Sequence, residues 1–468
     1  MKISKMKFWV GLASMGFLPA AGLFAESAKP GPVINSGDTA WLLTSSALVL
    51  LMTIPALALF YGGLVRKKNI LSVIYYSFAC AIVVSILWVV CEYSLIFNVS
   101  TPLEFNTDGS LTKKTIDGVA AVKGVLQWVG SLKSAFLSGI GVNTVNFNAP
   151  TVPENAYSMF QLMFAIITVA LVSGAIAERM SFAGWFVFLI LWSFLVYTPI
   201  AHIVWNPEGF LAQKGALDFA GGLVVHASSG VSALVACIVL GPRAGFRKNP
   251  ISPPSNIAYV FIGATLLWVG WFGFNAGSAV AANGLASSAF LVTHTATAMA
   301  ALTWMILEWI FMKKPSVVGA STGAVAGLVA ITPASGFVNL GGALVIGMVV
   351  SLISFTFMAV FRKIFKYDDA LDVFSVHGLG GTWGAFATGL FAVSAVNPGG
   401  KGLIDGNPGQ VLIQLMSIGI AWCIAIVGTL ICLFLANLIT AGRLRVTEKE
   451  EAEGLDISQH GEQVESAK

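Results

Sequence analysis

Charged residues are scarce in this chain. Only 10% of its 468 residues are Asp, Glu, Lys or Arg, against about 25% in a typical soluble domain. So few charges exclude an intrinsically disordered chain and a nucleic-acid-binding protein, which both need many solvating or basic groups. Hydrophobic residues make up 56%, and apolar runs near 20 residues recur along the chain. Runs of that length cross a bilayer as helices, so the sequence predicts an all-α polytopic membrane protein.

Cysteine is equally sparse. The five cysteines are Cys80, Cys91, Cys237, Cys423 and Cys432, all inside apolar runs. Buried thiols act as small hydrophobic groups, and this odd, scattered set excludes a disulfide framework. The sequence shows no metal-ligand spacing, activated nucleophile or cofactor-binding loop, so we expect neither a metal, a cofactor nor an enzyme.

The N-terminus has the pattern of a secretory signal. Lys2, Lys5 and Lys7 precede an apolar run from Phe8 to Phe24, and Ala25 is a suitable cleavage residue. This arrangement predicts a cleaved signal peptide over residues 1–25. The alternative is an uncleaved anchor helix.

Apolar windows place eleven spans in the membrane domain, residues 26–440. They are Thr39–Gly63, Ile70–Phe97, Ala156–Ala177, Gly184–Val204, Phe219–Leu240, Asn256–Gly277, Leu285–Phe311, Val317–Thr332, Phe337–Phe361, Val373–Val393 and Val411–Ile439. Basic residues fall in alternate connections: Arg66, Lys67, Lys68, Arg179, Arg243, Arg247, Lys248, Lys313, Lys314, Arg362, Lys363, Lys366, Arg443 and Arg445. The positive-inside rule then predicts a mature N-terminus outside, a long outer loop over 98–155 and a cytoplasmic tail over 441–468.

A pair of residues that occurs twice at the same spacing indicates an internal repeat. Asp218 and His226 open the fifth span, and Asp369 and His377 open the tenth at the same spacing. The two spans run in opposite directions, which predicts an inverted repeat of five plus five helices with one extra C-terminal helix. Such repeats place the substrate path at their interface near the bilayer midplane.

Histidines inside spans are candidates for function, because ionisable groups are costly there. The repeat brings His226 and His377 together near its axis. Two touching imidazoles are not both charged cheaply, whereas a neutral pair shares a proton and still offers a hydrogen-bond site to a small solute. His294 lacks a repeat partner and is expected to be a packed core residue. His202 is expected at the membrane interface.

Aromatic residues gather on neighbouring spans. They are Phe160, Phe164, Trp205, Trp271 and Phe274. Ring faces and the hydroxyl of Ser278, one turn beyond Phe274, suit an ammonium-like cation at a pore mouth. For Trp205 the alternative is an interface belt residue.

Carboxylates near the span ends have simpler explanations. Asp218 and Asp369 are expected to cap helix N-termini, and Asp218 also adds negative potential beside the cation site. Glu178 and Arg179 are expected to form an ion pair with each other at the interface.

Several ordered motifs resemble those of the ammonium transporter (Amt/Rh) family, bacterial Amt type. They are Phe60–Asn69, Ala177–Arg179, Gly215–Gly222 with Val225 and His226, Gly270–Ala279, Asp372–Gly378, and in the tail Gly454–Asp456 and His460–Glu462. The resemblance extends over essentially the whole mature chain.

The resemblance implies a homotrimer of the inner membrane with one conduction path per subunit. It implies an outer ammonium site of Trp205, Phe164, Ser278 and Asp218, a gate of Phe164 and Phe274, pore histidines His226 and His377, and supporting roles for Phe160 and Trp271. The substrate would be ammonium, with methylammonium as an analogue. A cytoplasmic PII-type signalling protein is the implied regulator, acting at the inner face near the tail.

Elementary physics makes such a path selective. An apolar pore rejects ammonium and potassium alike through desolvation, but only ammonium can release a proton and cross as ammonia. The resemblance favours net movement of the proton as well. Two alternatives stay open: a non-transporting ammonium sensor, and a neutral-gas channel of the Rh kind, against which the outer Trp205 argues.

Overall fold

The computed structural model describes residues 31–114, 124–246, 253–365 and 367–464. The predicted signal peptide lies outside these residues, as do Arg247, Lys248 and Lys366. Within them the chain is helical, with no β-strand.

Eleven apolar helices confirm the predicted polytopic fold. Nine in the described chain are long and apolar enough to cross a membrane: α1 Ser36–Leu64, α2 Lys67–Phe97, α3 Glu154–Ile176, α4 Phe182–Gln213, α5 Gly222–Leu240, α6 Ile257–Gly277, α7 Gly284–Met312, α9 Leu340–Val360 and α11 Gly409–Ile439. The other two are α8, Val317–Ile331, and α10, a π-helical turn at Phe374–Gly378 continued by Leu379–Phe391. The bounds agree closely with the apolar windows. In α4 the membrane helix ends at Trp205, one residue after its predicted end, and a short separate helix follows over Phe210–Gln213.

The two histidine helices begin alike. Helix α5 opens with a π-helical turn at Gly222–Ala227, which contains His226, and the opening turn of α10 contains His377. Asp218 accepts backbone N–H bonds from the first turn of α5, and Asp369 accepts one from Phe374 N at 2.8 Å. In each half of the inverted repeat, the fifth helix thus starts with an aspartate that accepts backbone N–H bonds from a π-helical turn containing a histidine.

Helices α5 and α10 cross in direct backbone contact. A Cβ atom on Gly230 would overlap the backbone of Gly378, and one on Gly381 would lie 2.7 Å from the carbonyl oxygen of Gly222. Small residues allow such close approach of membrane helices. This crossing places the two histidine turns side by side.

A buried charge cluster joins one end of α1, α3, α5 and α10, and it corrects one expectation. Glu178 pairs with Arg66 at 2.7 Å and with Arg243 at 3.1 Å, and Arg243 also pairs with Asp368 at 2.8 Å. Arg179 instead donates to the carbonyl oxygen of Asp368 at 2.6 Å. Glu178 and Arg179 point apart because Glu178 takes a positive φ of 70°, so their predicted mutual pair is wrong.

The tail packs on the same end of the helices. Two short helices, α12 over Glu448–Glu453 and α13 over Leu455–His460, follow α11. Asp456 accepts N–H bonds from Leu71 at 3.1 Å and from Ser72 at 2.8 Å at the start of α2. The Leu455 N–H donates to Asn69 at 2.8 Å. These contacts hold the segment Leu455–Asp456 fully buried.

The acidic residues of the tail do not pair with the arginines of the buried charge cluster. Arg66 and Arg243 are engaged by Glu178 and Asp368. Glu451 pairs with Arg445 at 2.9 Å within the tail, because the chain turns back there and brings the two side chains together. Lys68 donates through Nζ to the backbone carbonyl of Glu451 at 3.0 Å, not to a carboxylate.

Candidate functional site

His226 and His377 meet at the crossing of α5 and α10. Their Nδ1 atoms are 3.2 Å apart and both rings are buried. A hydrogen bond between two Nδ1 atoms needs one N–H and one lone pair, so a single proton lies between the rings. The outer Nε2 of one ring is then a donor and that of the other an acceptor. The pair therefore offers both kinds of hydrogen bond while staying neutral.

Aromatic rings enclose His226. Trp271 stacks on it with ring centroids 5.3 Å apart, and the Phe274 ring centroid lies 6.0 Å away. The indole of Trp271 is fixed by its hydrogen bond to the hydroxyl of Thr332, at 2.8 Å. The Nε2 atom of His226 is buried with no hydrogen-bond partner among the described residues. This is the sort of atom that a small polar solute can satisfy.

Two phenyl rings pack together next to His226. Phe164 and Phe274 lie with centroids 4.3 Å apart, and Phe160 packs edge-on against Phe164 at 4.9 Å. Phe164 and Phe274 are fully buried. Water and ions are excluded from this layer unless the rings move.

Beyond the phenyl rings lies a cavity of about 200 Å³, called here the Trp205 cavity. It is lined by Asn148, Tyr157, Gln161, Phe164, Val204, Trp205, Phe219, Ser278 and Val280. The Trp205 indole stands edge-to-face on Phe164 with centroids 5.6 Å apart, and its Nε1 donates to the backbone carbonyl of Asp218 at 3.0 Å. Ser278 donates its proton to the Phe274 carbonyl at 2.8 Å, which leaves the hydroxyl lone pairs to accept from a ligand.

The Asp218 carboxylate binds backbone amides and does not line the Trp205 cavity. Its carboxylate accepts from the amides of Gly221 at 2.8 Å, Gly222 at 2.6 Å, Leu223 at 2.7 Å and Val224 at 3.2 Å. These bonds use the amides that a helix start leaves unpaired. Asp218 thus shapes the turn that carries His226, and its carbonyl holds Trp205.

A second cavity, of about 220 Å³, opens on the other side of the histidines and is called here the Arg243 cavity. Its walls include Phe60, Tyr61, Arg243, Asp372 and His377. His377 therefore borders this cavity, whereas His226 faces the phenyl rings. The histidine pair stands between the two cavities.

The remaining histidines in the membrane helices lie apart from the path. His294 is exposed on the outside of α7 and packs beside Trp268, with ring centroids 5.3 Å apart, so the expectation of a core residue is wrong. His202 is fully buried, not interfacial. It lies near the C-terminal end of α4, three residues before Trp205.

Sequence reasoning missed six lining residues of the Trp205 cavity, and three of them carry hydrogen-bonding side chains: Asn148, Tyr157 and Gln161. Gln161 is a polar side chain inside the apolar helix α3, between Phe160 and Phe164, and the rule for polar groups in spans would have found it. Asn148 comes from the long loop, where no periodicity marks it.

The profile of the Ammonium Transporter Family matches residues 40–465. The ammonium transporter of Bacillus subtilis is 44% identical over 430 residues, which are 92% of this chain and 98% of the relative. The crystal structure of Candida albicans Mep2 has a TM-score of 0.78 at 32% identity, covering 89% of this chain and 88% of that one. A solved sensor Amt protein has a TM-score of 0.76 at 25% identity, covering 91% and 98%.

Proposed function

The chain belongs to the ammonium transporter family, and from that premise we propose that it moves ammonium nitrogen along the line of the Trp205 cavity, the phenyl rings and the histidine pair. Ammonium is captured at the Trp205 cavity. It loses its proton near the rings and passes the histidines as ammonia. The observation that carries this proposal is the unpartnered Nε2 of His226, buried between the two cavities.

Capture rests on soft contacts rather than on an ion pair. The faces of Trp205 and Phe164 attract a cation by about 0.5–2 kcal/mol. The Ser278 hydroxyl, whose proton is already donated, accepts an N–H bond from the ion. Asp218 adds negative potential through the buried turn it anchors. Contacts of this strength hold ammonium briefly and let it go.

Selectivity comes from the next step. Phe164 and Phe274 strip water from anything that enters, and a desolvated ion is penalised in such a layer. Ammonium escapes the penalty by releasing its proton to the acceptor nitrogen of the histidine pair, and the resulting ammonia hydrogen-bonds to His226 and His377. Potassium has no proton to release and is rejected. Net movement of the released proton through the histidine pair would make transport electrogenic.

We assign the Trp205 cavity to the outer side of the inner membrane and the Arg243 cavity to the cytoplasm. Lys67, Lys68 and Arg243 lie at the Arg243 end, as do Arg443 and Arg445, in accordance with the positive-inside rule. The mature N-terminus would then be outside and residues 1–25 a cleaved signal peptide.

Assembly and regulation extend the proposal. The chain would act as a homotrimer, with a path in each subunit. The tail, docked beside the Arg243 cavity through Asp456 and Lys68, would be the contact region for a cytoplasmic PII-type protein that closes the inner mouth.

Electrical recording from liposomes tests the transport proposal. The protein should give a saturable current with ammonium, a smaller one with methylammonium and none with potassium. His294→Ala, on the outside of α7, is the matched control and should leave the current unchanged. An ammonium current equal to the potassium current would contradict the proposal.

A sensor is the second candidate, because the fold also matches a sensor Amt protein. A sensor would bind ammonium at the Trp205 cavity without passing current. Binding with no current in the same liposomes would favour it. Trp205 itself argues against a neutral-gas channel, since a cation-binding indole serves no purpose for a gas.

A further inference from the structure

His202 has two hydrogen-bond partners that both accept. Its Nδ1 lies 2.9 Å from the carbonyl oxygen of Ile96, and its Nε2 lies 2.8 Å from that of Leu126. A neutral imidazole has one N–H and one lone pair, and only the imidazolium has two N–H groups. In a neutral ring, one of these contacts would set two lone pairs against each other at less than 3 Å.

We propose that His202 is a positioning residue of the Trp205 cavity and that it works as a buried imidazolium. Its two N–H groups tie the end of α2 and the long loop to the helix end that carries Trp205. The kinetic part of this inference rests on the proposed function, but the charge state of His202 does not.

The electrostatic surroundings favour a cation at this position. Ile96 is in the last turn of α2, whose terminal carbonyls lack helical partners and form the negative end of the helix dipole. The Leu95 carbonyl and the carboxylate of Glu208 face the same ring. Glu208 is itself buried and accepts N–H bonds from Ser100 at 2.8 Å and Thr101 at 3.1 Å.

Other ionisable groups nearby are directed elsewhere. Tyr93 of α2 donates its hydroxyl to Glu154 at 2.6 Å. Lys133 of the loop and Lys214 after α4 are exposed. Burial opposes the charge on His202, whereas the two short carbonyl bonds and the carboxylate of Glu208 favour it. Among the described residues, Glu208 is thus the charged group that faces the ring.

The two hydrogen bonds of His202 connect the end of α2 and the long loop to the part of α4 that lines the Trp205 cavity. Leu126 belongs to a short 3-10 helix over Gly124–Gln127, which also contacts α4 through the Gln127–Gln213 hydrogen bond at 2.8 Å. His202 is one helical turn before Trp205. Loss of the proton would remove one N–H bond and release either the loop or the end of α2 from the Trp205 turn.

The charge state is testable by solid-state NMR of ring-¹⁵N-labelled histidine in liposomes. At pH about 7.5 an ordinary histidine, with a pKa near 6.5, is mostly neutral. We expect one ring with both nitrogens protonated, absent in His202→Gln and unchanged in the matched control His294→Gln. If the resonance lost in His202→Gln is that of a neutral ring, the proposal is overturned.

Two further measurements keep the proposal falsifiable. Glu208→Gln should turn the same resonance neutral at a lower pH than in the unsubstituted protein. The absence of such a shift would contradict the proposal even if His202→Gln does not assemble.

In liposomes, His202→Gln should raise the half-saturating ammonium concentration roughly tenfold, because displaced binding groups are costly. An unchanged value would overturn the positioning role. Failure of the transport proposal itself would show instead as the missing selectivity of the unsubstituted protein.

Discussion

The two cavities are similar in size but differ in chemistry. The Trp205 cavity, about 200 Å³, is lined by aromatic rings, amides and a hydroxyl. The Arg243 cavity, about 220 Å³, includes Arg243 and Asp372 in its wall. A cation meets ring faces and neutral oxygens on one side, and on the other an aspartate and an arginine that is already paired with Glu178 and Asp368. The difference supports the proposed capture of ammonium in the Trp205 cavity.

The largest expected effect comes from replacing one of the two histidines that stand between the cavities. Replacing either His226 or His377 by Ala should lower selective ammonium transport more than about a hundredfold, the scale of a lost proton-handling group. The current ratio of ammonium to potassium in liposomes measures this effect. Unchanged selectivity and rate in either single variant would refute the role of the histidine pair.

The Arg243 side should respond through stability rather than selectivity. Asp368→Asn leaves Arg243 without its 2.8 Å partner, and breaking a buried pair costs about 3 kcal/mol. We expect a lower melting temperature of the detergent-solubilised protein with the ammonium-to-potassium ratio unchanged. A selectivity change would show that the charge cluster belongs to the path.

The same pair predicts a dependence on acid. Burial alone would raise the pKa of Asp368, but the hydrogen bonds and charge of Arg243 outweigh it and hold that pKa below its usual range. A lowered folded-state pKa gives stability that is present above the unfolded value and lost as the pH falls through the folded one. Melting curves from pH about 6 down to 3 should show this loss, and Asp368→Asn should flatten it.

A smaller effect is expected on the Trp205 side. Trp205→Leu removes a ring face worth about 0.5–2 kcal/mol to a cation and should weaken ammonium discrimination while leaving folding intact. The half-saturating concentration of the current measures this effect. If that concentration stays the same, Trp205 is an ordinary interface residue.

The smallest expected effect concerns the tail. Asp456→Ala removes the carboxylate that caps α2 at Ser72, which costs about 1 kcal/mol. We expect partial loss of transport and weaker inhibition by a PII-type protein, with normal membrane insertion. Deletion of residues 453–468 should act in the same direction. Normal inhibition in both variants would show that the tail does not carry regulation.

Much of the fold was predictable, because long apolar helices leave a strong signal in sequence. The equal spacing of Asp218 to His226 and of Asp369 to His377 predicted the repeat, and the structure places both histidines in matching turns. Their contact at 3.2 Å follows from that symmetry. The aromatic residues singled out also lie together.

The predictions that were wrong depend on long-range contacts or on local backbone geometry. Glu178 and Arg179 are neighbours in sequence, yet a positive φ at Glu178 sends them to different partners. His202 was expected at the membrane interface because it is near a helix end, and the loop that covers it has no regular pattern. Asn148 reaches the Trp205 cavity from the same loop. The spacing of apolar residues along the chain does not predict any of these contacts.

The contact between Gly230 and Gly378 has a consequence for how the path works. A crossing made of bare backbone has no rotamers and no side-chain slack. The close approach therefore fixes the distance between the two backbones that carry His226 and His377, and we expect that distance to be the same with and without solute. In the proposed transport path, the crossing would set the width at the histidines, and motion would be left to the phenyl rings.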